Sequence, residues 1–330
     1  MILMMNLTNE EQAINIQHQL TLLLAYLDMH DYRFTTISPA SHAKVNSRVE
    51  NGMAKSLIDI FGWNRPFKRE AIDIKLFDLM QAAKTTIKVG DLWKSQVRVS
   101  SIDGLLFMHS AYPTTSNEAV FFGPDTYRFS NAIHQYLATH QQPIHRAVDI
   151  GTGSGVGAVL LALALSKSAS EPKPEILAVD INSDALNLAR VNINAAEIHN
   201  IILMHSDLLH NVPGSFDLII ANPPYLLDES ERTYRHGGGQ LGANLSLDIV
   251  DSAIERLNPN GTLLLYTGVA IVNGYDAFHA TVAIKLNYAG LTYEYTEIDP
   301  DIFGEELCGK AYSIVDRIAA VVLIAVKQAD

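Results

Sequence analysis

The chain has 330 residues, a formal net charge of −12 and a single cysteine, Cys308. This length supplies a sizeable core and about two domains, and the acidity argues against a protein that binds nucleic acid over its whole surface. One cysteine excludes an intramolecular disulfide framework and favours a reducing, cytoplasmic location. Residues 1–7 are too short and uncharged for a secretory signal, and the apolar runs are too short to span a membrane. The histidines lack zinc-type spacing, so we expect no metal.

Two patterns divide the first part of the chain. Apolar residues at helical spacing predict a small helical domain over residues 1–85: Leu20, Leu23, Leu24 and Leu27, then Leu57, Ile60 and Phe61, then Ile72, Leu76, Leu79 and Met80. Short alternating strands around Asp103-Gly104 predict a β-rich connector over residues 86–122. We expect the helical domain to recognise the substrate or a partner.

The charge of this N-terminal region is unevenly distributed. Residues 33–98 contain twelve basic and six acidic residues. This local excess is consistent with a basic docking face for RNA or for a ribosome-associated protein. A solvated surface of mixed charge is the alternative, since runs of charge usually have no other role.

A glycine-rich turn lies between a predicted strand, Ala147–Ile150, and a predicted helix, Ala158–Leu165. Gly151, Gly153 and Gly155 allow close approach of a ligand to the backbone, and the helix N-terminus offers unpaired N–H groups. The dinucleotide fingerprint G-x-G-x-x-G/A also fits Gly153, Gly155 and Ala158, so an NAD-dependent oxidoreductase is an alternative. A carboxylate just before the turn, Asp149, argues against a pyrophosphate there because like charges repel.

Acidic residues also end the next two predicted strands. Asp180 follows Ile176–Val179 and can accept hydrogen bonds from both ribose hydroxyls, whereas Asp207 follows the third strand and can accept one from an adenine amine. Helix capping or solvent exposure is the alternative for each acid taken singly. Together, three acids at three successive strand ends indicate a nucleoside-binding α/β domain.

The fourth such strand, Phe216–Ala221, runs into Asn222-Pro223-Pro224-Tyr225. The prolines have fixed φ and no N–H, so the chain leaves the sheet there. A carboxamide, a rigid backbone and an aromatic ring are suited to holding a planar amino group. A plain strand-ending turn is the alternative.

Strands and helices continue to alternate to residue 330, which predicts a mostly parallel sheet with helices on both faces. Helices are expected at about 245–257 and 275–288, and strands at 262–266, 291–298 and 317–326. The polar, Gly-rich segment 226–244 is expected to form part of the substrate rim, as a mobile lid or an ordinary surface loop.

These ordered motifs resemble those of class I S-adenosylmethionine-dependent methyltransferases, over residues 120 to 330. The tetrapeptide is similar to that of enzymes methylating planar nitrogens, above all the release-factor-type protein-glutamine methyltransferases. The segment Phe122-Gly123-Pro124-Asp125-Thr126 is similar to their Pro-Arg-Pro-Asp/Glu-Thr signature, although Phe122 and Gly123 replace its first proline and its arginine. The resemblance implies a seven-stranded, doubly wound sheet in a catalytic domain over 123–330, and S-adenosylmethionine as cofactor.

The resemblance also assigns site residues. Those implied to bind the cofactor are Asp149, Gly151, Thr152, Gly153, Gly155, Asp180, Ile181, Asp207, Leu208 and Asn222. Those implied in catalysis are Asn222, Pro223, Pro224 and Tyr225. The acceptor NH₂ would donate to the Asn222 side chain and the Pro223 carbonyl, with Tyr225 stacked on the planar group. A protein glutamine amide is the expected acceptor, and an exocyclic amine of adenine or guanine in RNA is the alternative.

Overall fold

The computed structural model describes residues 9–166, 173–228 and 232–329, and the prediction made for residues 1–7 lies outside this part of the chain. The described residues form two compact units. The N-terminal unit consists of the described residues of Met1–Thr115 together with Val120–Pro124 and Asn187–His199. The sheet unit consists of the described residues of Ser116–Ala119, Asp125–Leu186 and Asn200–Asp330.

The N-terminal unit combines helices with two hairpins. Its helices are α1 (Asn9–Met29), α2 (Pro39–Asn46) and α3 (Ile74–Ala82), and its hairpins pair β1 (Thr86–Val89) with β2 (Leu92–Ser95) and β3 (Val97–Ile102) with β4 (Leu105–Ser110). Leu23, Leu27, Phe61 and Met80 are fully buried in one core, as their helical spacing predicts. Val191 joins this core, which explains why Asn187–His199 belongs to the unit. The predicted boundaries at 85 and 122 stay predictions.

The sheet unit alternates strands and helices. Its helices are α4 (Pro124–Thr139), α5 (Val156–Ser166), α6 (Ser183–Ala195, of which residues 187–195 belong to the N-terminal unit), α7 (Asn244–Arg256) and α8 (Ala277–Tyr288). Its strands are β5 (Arg146–Ile150), β6 (Glu175–Asp180), β7 (Ile201–His205), β8 (Phe216–Ala221), β9 (Leu257–Val272), β10 (Tyr275–Asp276), β11 (Leu291–Asp299) and β12 (Arg317–Lys327).

Seven of these strands form one sheet in the order β11-β12-β9-β8-β5-β6-β7, and the short β10 pairs with β9. The five strands from β7 to β9 are parallel, whereas β12 and β11 are antiparallel to their neighbours. Strands β5 and β8 are almost continuously buried, as expected for strands covered on both faces. The prediction of a mostly parallel, doubly wound sheet is confirmed.

One strand differs from its prediction. Strand β9 begins at Leu257, directly after α7, instead of at residue 262. The residues around Pro259 continue the sheet through a register shift against β8. The Asn258 side chain donates to Asp217 Oδ1 (2.7 Å), and a Cβ on Gly261 would lie 2.8 Å from the carbonyl oxygen of Phe216. The turn-forming residues 259–261 are therefore held against β8 and do not interrupt the strand.

The carboxyl ends of β5, β6, β7 and β8 lie at the same edge of the sheet because these strands are parallel. In open α/β sheets ligands bind outside this edge. Within the described part of the chain, no helix is long and apolar enough to cross a membrane. The same residues contain no cluster of three or more metal-ligating side chains.

Candidate active site

The glycine-rich turn after β5 is exposed at its first residue, Gly151. Gly151, Gly153 and Gly155 all have positive φ, which glycine adopts without strain. The N–H groups of Gly151 and Thr152 donate to the carbonyl of Val179 on β6, so the turn is fixed to the neighbouring strand. Chain neighbours aside, no described heavy atom lies within 4 Å of a Cβ built on Gly151. The turn therefore leaves room for a ligand beside its backbone.

Asp149 lies beneath this turn and is 2% exposed. Its Oδ2 accepts hydrogen bonds from the Thr152 hydroxyl (2.6 Å) and from the Ala158 N–H (3.0 Å) in the first turn of α5. A Cβ on Gly157 would lie 2.7 Å from the same oxygen, so only glycine fits there. Burial raises the pKa of Asp149 to about 7, against the lowering effect of these hydrogen bonds. Asp149 thus fixes the turn and the helix start, and its predicted contact with a ligand ammonium stays a prediction.

Asp180 lies at the end of β6 and contacts the same turn. Its Oδ2 accepts the Gly153 N–H (2.9 Å) and its Oδ1 accepts the Asn182 N–H (2.9 Å). Each oxygen therefore retains a lone pair for one hydroxyl of a vicinal diol. Burial raises the pKa of this carboxyl as well. The next residue, Ile181, is 51% exposed and provides an apolar surface at the same edge.

Asp207 follows β7 and is the most accessible of the predicted acids. Its side chain is 64% exposed, and its Oδ2 lies 3.8 Å from Nδ1 of His210. Leu208 has a left-handed backbone (φ 46°) and packs against the core of the sheet unit. The carboxylate can therefore accept a hydrogen bond from a ligand.

Asn222 and Pro223 follow the end of β8. Asn222 is partly exposed, and its carboxamide has no hydrogen bond to any residue that the structure describes. The Pro223 carbonyl likewise has no such partner among these residues. Two neighbouring acceptors at the ligand-binding edge of the sheet are suited to an NH₂ group, which carries two donors.

Tyr225 differs from the exposed stacking platform that the sequence suggests. It is 6% exposed, and its hydroxyl donates to Asp125 Oδ2 at 2.6 Å. Its ring lies edge-on to Phe303, with ring centroids 6.0 Å apart. Burial and the Asp125 carboxylate raise the pKa of Tyr225 well above its ordinary value, so the hydroxyl remains a donor. The predicted stacking on a substrate stays a prediction.

The buried acid that holds Tyr225 is absent from the predicted site residues. Asp125 lies in the first turn of α4, is 6% exposed and also accepts from the hydroxyl of Tyr266 and from Arg128. The resemblance of residues 122–126 to a family signature drew attention to this segment. Nothing in a single sequence indicates that its acid contacts a residue 100 positions away.

The segment after the tetrapeptide is anchored by backbone and ion pairs. Leu226 pairs with His236, and the Gly237 N–H donates to the Leu226 carbonyl (2.8 Å). A Cβ on Gly237 would lie 2.0 Å from the Gly242 carbonyl oxygen. The described part of the predicted rim, 226–228 and 232–244, therefore packs directly against the tetrapeptide, and residues 229–231 of the predicted lid lie outside it.

Charged side chains hold the same segment. Asp228 accepts from the backbone N–H (3.0 Å) and from Nε (2.9 Å) of Arg232, and these contacts lower the pKa of Asp228 to about 2. Arg235 forms an ion pair with Glu306, and the Leu227 N–H donates to the hydroxyl of Tyr312. These contacts fix the rim to the segment between β11 and β12.

The described residues fit S-adenosylmethionine. Asp180 offers two acceptors for the ribose hydroxyls, Ile181 offers an apolar surface for adenine, and Gly151 leaves space beside the backbone. Asp207 is exposed and would be free to accept a hydrogen bond from an adenine amine. The carboxylate of Asp149 lies inside the turn, so its effect on a bound ammonium would be mainly a long-range charge effect.

Comparison with known proteins finds methyltransferases. Residues 115–271 match the family model of the methyltransferase small domain. A ribosomal protein uL3 glutamine methyltransferase of Neisseria gonorrhoeae is 35% identical over 140 residues, covering 39% of this chain and 45% of the relative. A release factor glutamine methyltransferase of Deinococcus radiodurans is 31% identical over 204 residues, covering 58% and 66% respectively. The chain thus spans less than half the length of the first of these relatives.

Solved structures give distant similarities. A methyltransferase from Pyrococcus furiosus is 19% identical, with 61% of this chain and 83% of that chain covered and a TM-score of 0.41. A T. thermophilus 16S rRNA methyltransferase in complex with AdoMet and guanosine is 15% identical, with 80% and 64% covered and a TM-score of 0.46.

The family match is confined to residues 115–271, slightly less than half of the chain. The resemblance to S-adenosylmethionine-dependent methyltransferases, with that molecule as cofactor, is thereby confirmed.

Proposed function

We propose that this protein transfers a methyl group from S-adenosylmethionine to the side-chain amide of a protein glutamine. The observation that carries the proposal is the pair of acceptors at Asn222 and Pro223, which lack a partner among the described residues. Both lie at the sheet edge beside the glycine turn. The two relatives described above are named as glutamine methyltransferases, which supports an amide as the acceptor.

The cofactor supplies an electrophilic methyl group on a sulfonium ion. Asp180 and Ile181 would bind its ribose and adenine, Asp207 and Leu208 would border the adenine, and Gly151 to Gly155 would lie beside its chain. These roles follow from the fit of exposed or acceptor groups at one edge of the sheet. In this proposal the cofactor-binding residues only hold the cofactor and form no covalent bond during methyl transfer.

The acceptor amide is activated by the way it is held. Its two N–H groups would donate to Asn222 Oδ1 and to the Pro223 carbonyl, which would tilt the nitrogen toward tetrahedral geometry and reduce the conjugation of its lone pair with the amide carbonyl. Holding reactants in this way contributes about 7 to 11 kcal/mol in favourable cases. As the methyl carbon–sulfur bond breaks and the sulfonium becomes a neutral thioether, the acceptor nitrogen would become cationic and would then lose a proton, so no strong base is required beforehand. Tyr225 is buried and would maintain the shape of this acceptor pair.

Methylation of an adenine or guanine amine in RNA uses the same acceptors. The feature that favours it is the basic excess within residues 33–98. Two of those twelve cations, Arg65 and Arg98, are buried, at 8% and 4% exposure. Arg65 pairs with Asp59, and Arg98 donates to the Gly62 carbonyl, so neither is available to phosphate. The excess on the surface is accordingly smaller than the sequence suggests, and the protein acceptor is preferred. The NAD-dependent alternative is not favoured by the methyltransferase match.

The test is transfer of a radiolabelled methyl group from S-adenosylmethionine to purified acceptors. The acceptors are uL3 of N. gonorrhoeae, a release factor of D. radiodurans, the Gln→Ala variant of each at its methylated glutamine, and total bacterial RNA. Label on an intact protein acceptor, lost in its variant, supports the proposal. Label on RNA alone would show that the methyl acceptor is a nucleobase amine and not a glutamine amide. Calorimetric binding of NAD without binding of S-adenosylmethionine would overturn both.

A further inference from the structure

The buried carboxylate of Asp125 makes contacts that stability alone does not explain. It lies in the first turn of α4, where an acid is favoured by the helix dipole. An exposed acid would satisfy that preference equally well. Asp125 is instead 6% exposed and accepts hydrogen bonds from three side chains that belong to three different parts of the sheet unit.

Both carboxylate oxygens of Asp125 are used. Oδ2 accepts from the Tyr225 hydroxyl at 2.6 Å, and Oδ1 accepts from the Tyr266 hydroxyl at 2.6 Å and from Arg128 at 3.0 Å. Tyr266 is fully buried on β9, the strand next to β8. Arg128 also forms an ion pair with Asp299 at 2.7 Å. The carboxylate thus joins the Asn222–Tyr225 segment to the strand beside it.

The position of the Tyr225 ring affects the positions of the Asn222 carboxamide and the Pro223 carbonyl. Pro223 and Pro224 have fixed φ angles, so few backbone torsions separate the ring from Asn222. The ring already fills the space that a side chain at residue 268 of β9 would occupy, because a Cβ built on Gly268 would lie 2.2 Å from its Cε2. The Tyr225 ring also packs in an edge-to-face arrangement with the ring of Phe303. The hydroxyl bond to Asp125 completes these constraints.

We propose that Asp125 is a positioning residue for methyl transfer: by holding the Tyr225 hydroxyl, it sets the geometry of the Asn222 carboxamide and the Pro223 carbonyl toward the acceptor NH₂. Asp125 itself touches neither cofactor nor acceptor. The proposal rests on the proposed function and adds to it the residue that fixes the site. It also gives the acid of the signature-like segment 122–126 a physical role.

The test compares D125N, D125E and Y225F in the full chain, with D248N as the control for an Asp-to-Asn change. Asp248 is exposed on α7. Calorimetry gives the fraction of each protein preparation that binds S-adenosylmethionine, and kcat is expressed per binding molecule. Both kcat and KM are measured with the acceptor that the wild-type enzyme methylates. D125N should lower kcat about 100-fold, the loss expected from misplacing a bound reactant by about 1 Å. The cofactor Kd and the acceptor KM of D125N should stay within about threefold of the wild-type values. A threefold change is smaller than the tenfold change that corresponds to about 1.4 kcal/mol of binding free energy.

Three further results separate positioning from general stability. D125E, which keeps the charge, should recover part of the lost kcat, and Y225F should lower kcat with little change in Kd. The double variant D125N/Y225F should be no slower than D125N, because both changes break the same link. A kcat for D125N equal to wild type per cofactor-binding molecule would overturn the proposal, and so would additive losses in the double variant.

Failure to fold does not remove the test. Arg128 keeps Asp299 as a partner in D125N, so this half-buried cation is not left without an acid. If D125N is unstable nonetheless, the Y225F variant decides the test. Full activity in Y225F would contradict the proposal that the hydrogen bond between Tyr225 and Asp125 positions the acceptor pair. Wild type that binds no S-adenosylmethionine or labels no acceptor would contradict the proposed function itself, an outcome distinct from active wild type with equally active variants.

Discussion

Gly268 lies directly beneath the ring of Tyr225. A Cβ built on Gly268 would be 2.2 Å from Cε2 and 2.4 Å from Cδ2 of the tyrosine, far inside van der Waals contact. Gly268 is on β9, in register with Ala320 of β12, so the strand cannot move aside without disturbing two pairs of strands. The absence of a side chain at residue 268 therefore determines where the ring of the tetrapeptide lies.

We expect Gly268→Ala to reduce methyl transfer and to destabilise the protein. Overpacking a well-filled core costs about 1 to 3 kcal/mol. The displaced ring would also lose its hydrogen bond to Asp125. Thermal unfolding and kcat measure the two effects. Gly52→Ala is the control, because Gly52 has φ −66° and its added Cβ meets only the Val49 carbonyl oxygen at 3.7 Å. Wild-type kcat in Gly268→Ala would show that the ring position is unimportant.

Asn222→Ala should nearly abolish methyl transfer while leaving the Kd of S-adenosylmethionine within a few-fold. Removing one preorganised hydrogen-bonding group at a reacting centre costs about 100- to 1000-fold in kcat. Cofactor affinity should persist because Asp180 and the glycine turn do not depend on Asn222. Single-turnover transfer of labelled methyl and calorimetry make the comparison. Asn287→Ala, an exposed change on α8, is the matched control. An Asn222→Ala variant with full activity would remove the central residue of the proposal.

The elements of the sheet unit were predictable from the sequence because their signals are local. Buried parallel strands are continuous apolar runs, and glycines with proline pairs mark where the chain leaves them. The parallel order then brings the ends of β5, β6, β7 and β8 to one edge without further information. Asp180, Asp207 and Asn222 accordingly lie where their strand ends predict.

Burial and distant contacts were not predictable in the same way. The sequence predicts that Asp149 is an acid near a ligand. In the structure its carboxylate lies inside the turn and accepts hydrogen bonds from Thr152 and Ala158. Tyr225 reads as a stacking ring, yet its hydroxyl binds Asp125, a residue 100 positions earlier. Both outcomes depend on how α4, α5 and β9 pack against the strand ends. A single sequence contains no local signal for such packing.

Arg232→Ala should raise the acceptor KM about tenfold, which corresponds to about 1.4 kcal/mol of lost binding. The change removes the hydrogen bonds that hold Asp228 and so loosens the rim beside the tetrapeptide. The cofactor Kd should not change, because the ion pair of Arg232 with Asp228 lies within the rim segment. Steady-state kinetics with the labelled acceptor would measure the shift. Arg190→Ala is the control, since Arg190 is exposed. An unchanged KM would indicate that the rim does not touch the acceptor.

Asp149 should make stability depend on pH in a direction opposite to that of an ordinary paired acid. Its pKa is about 7 in the folded protein against about 3.8 in an unfolded chain. Between these values the folded state binds a proton that the unfolded state does not. The free energy of unfolding therefore falls as the pH rises from about 4 to about 7, with a slope of at most about 1.4 kcal/mol per pH unit, and levels off above pH 7.

Asp149→Asn should remove this dependence, because a neutral amide of the same shape can still accept the Ala158 N–H. Urea unfolding of both proteins at pH 5, 6, 7 and 8, without cofactor, measures the difference. Wild type should lose stability relative to the variant between pH 5 and 7 and run parallel to it above pH 7, and D248N should follow wild type. Parallel curves for wild type and Asp149→Asn would mean that the carboxyl is ionised throughout. A ligand ammonium favours the ionised carboxylate, so the affinity for S-adenosylmethionine should rise with pH more steeply in wild type than in the variant.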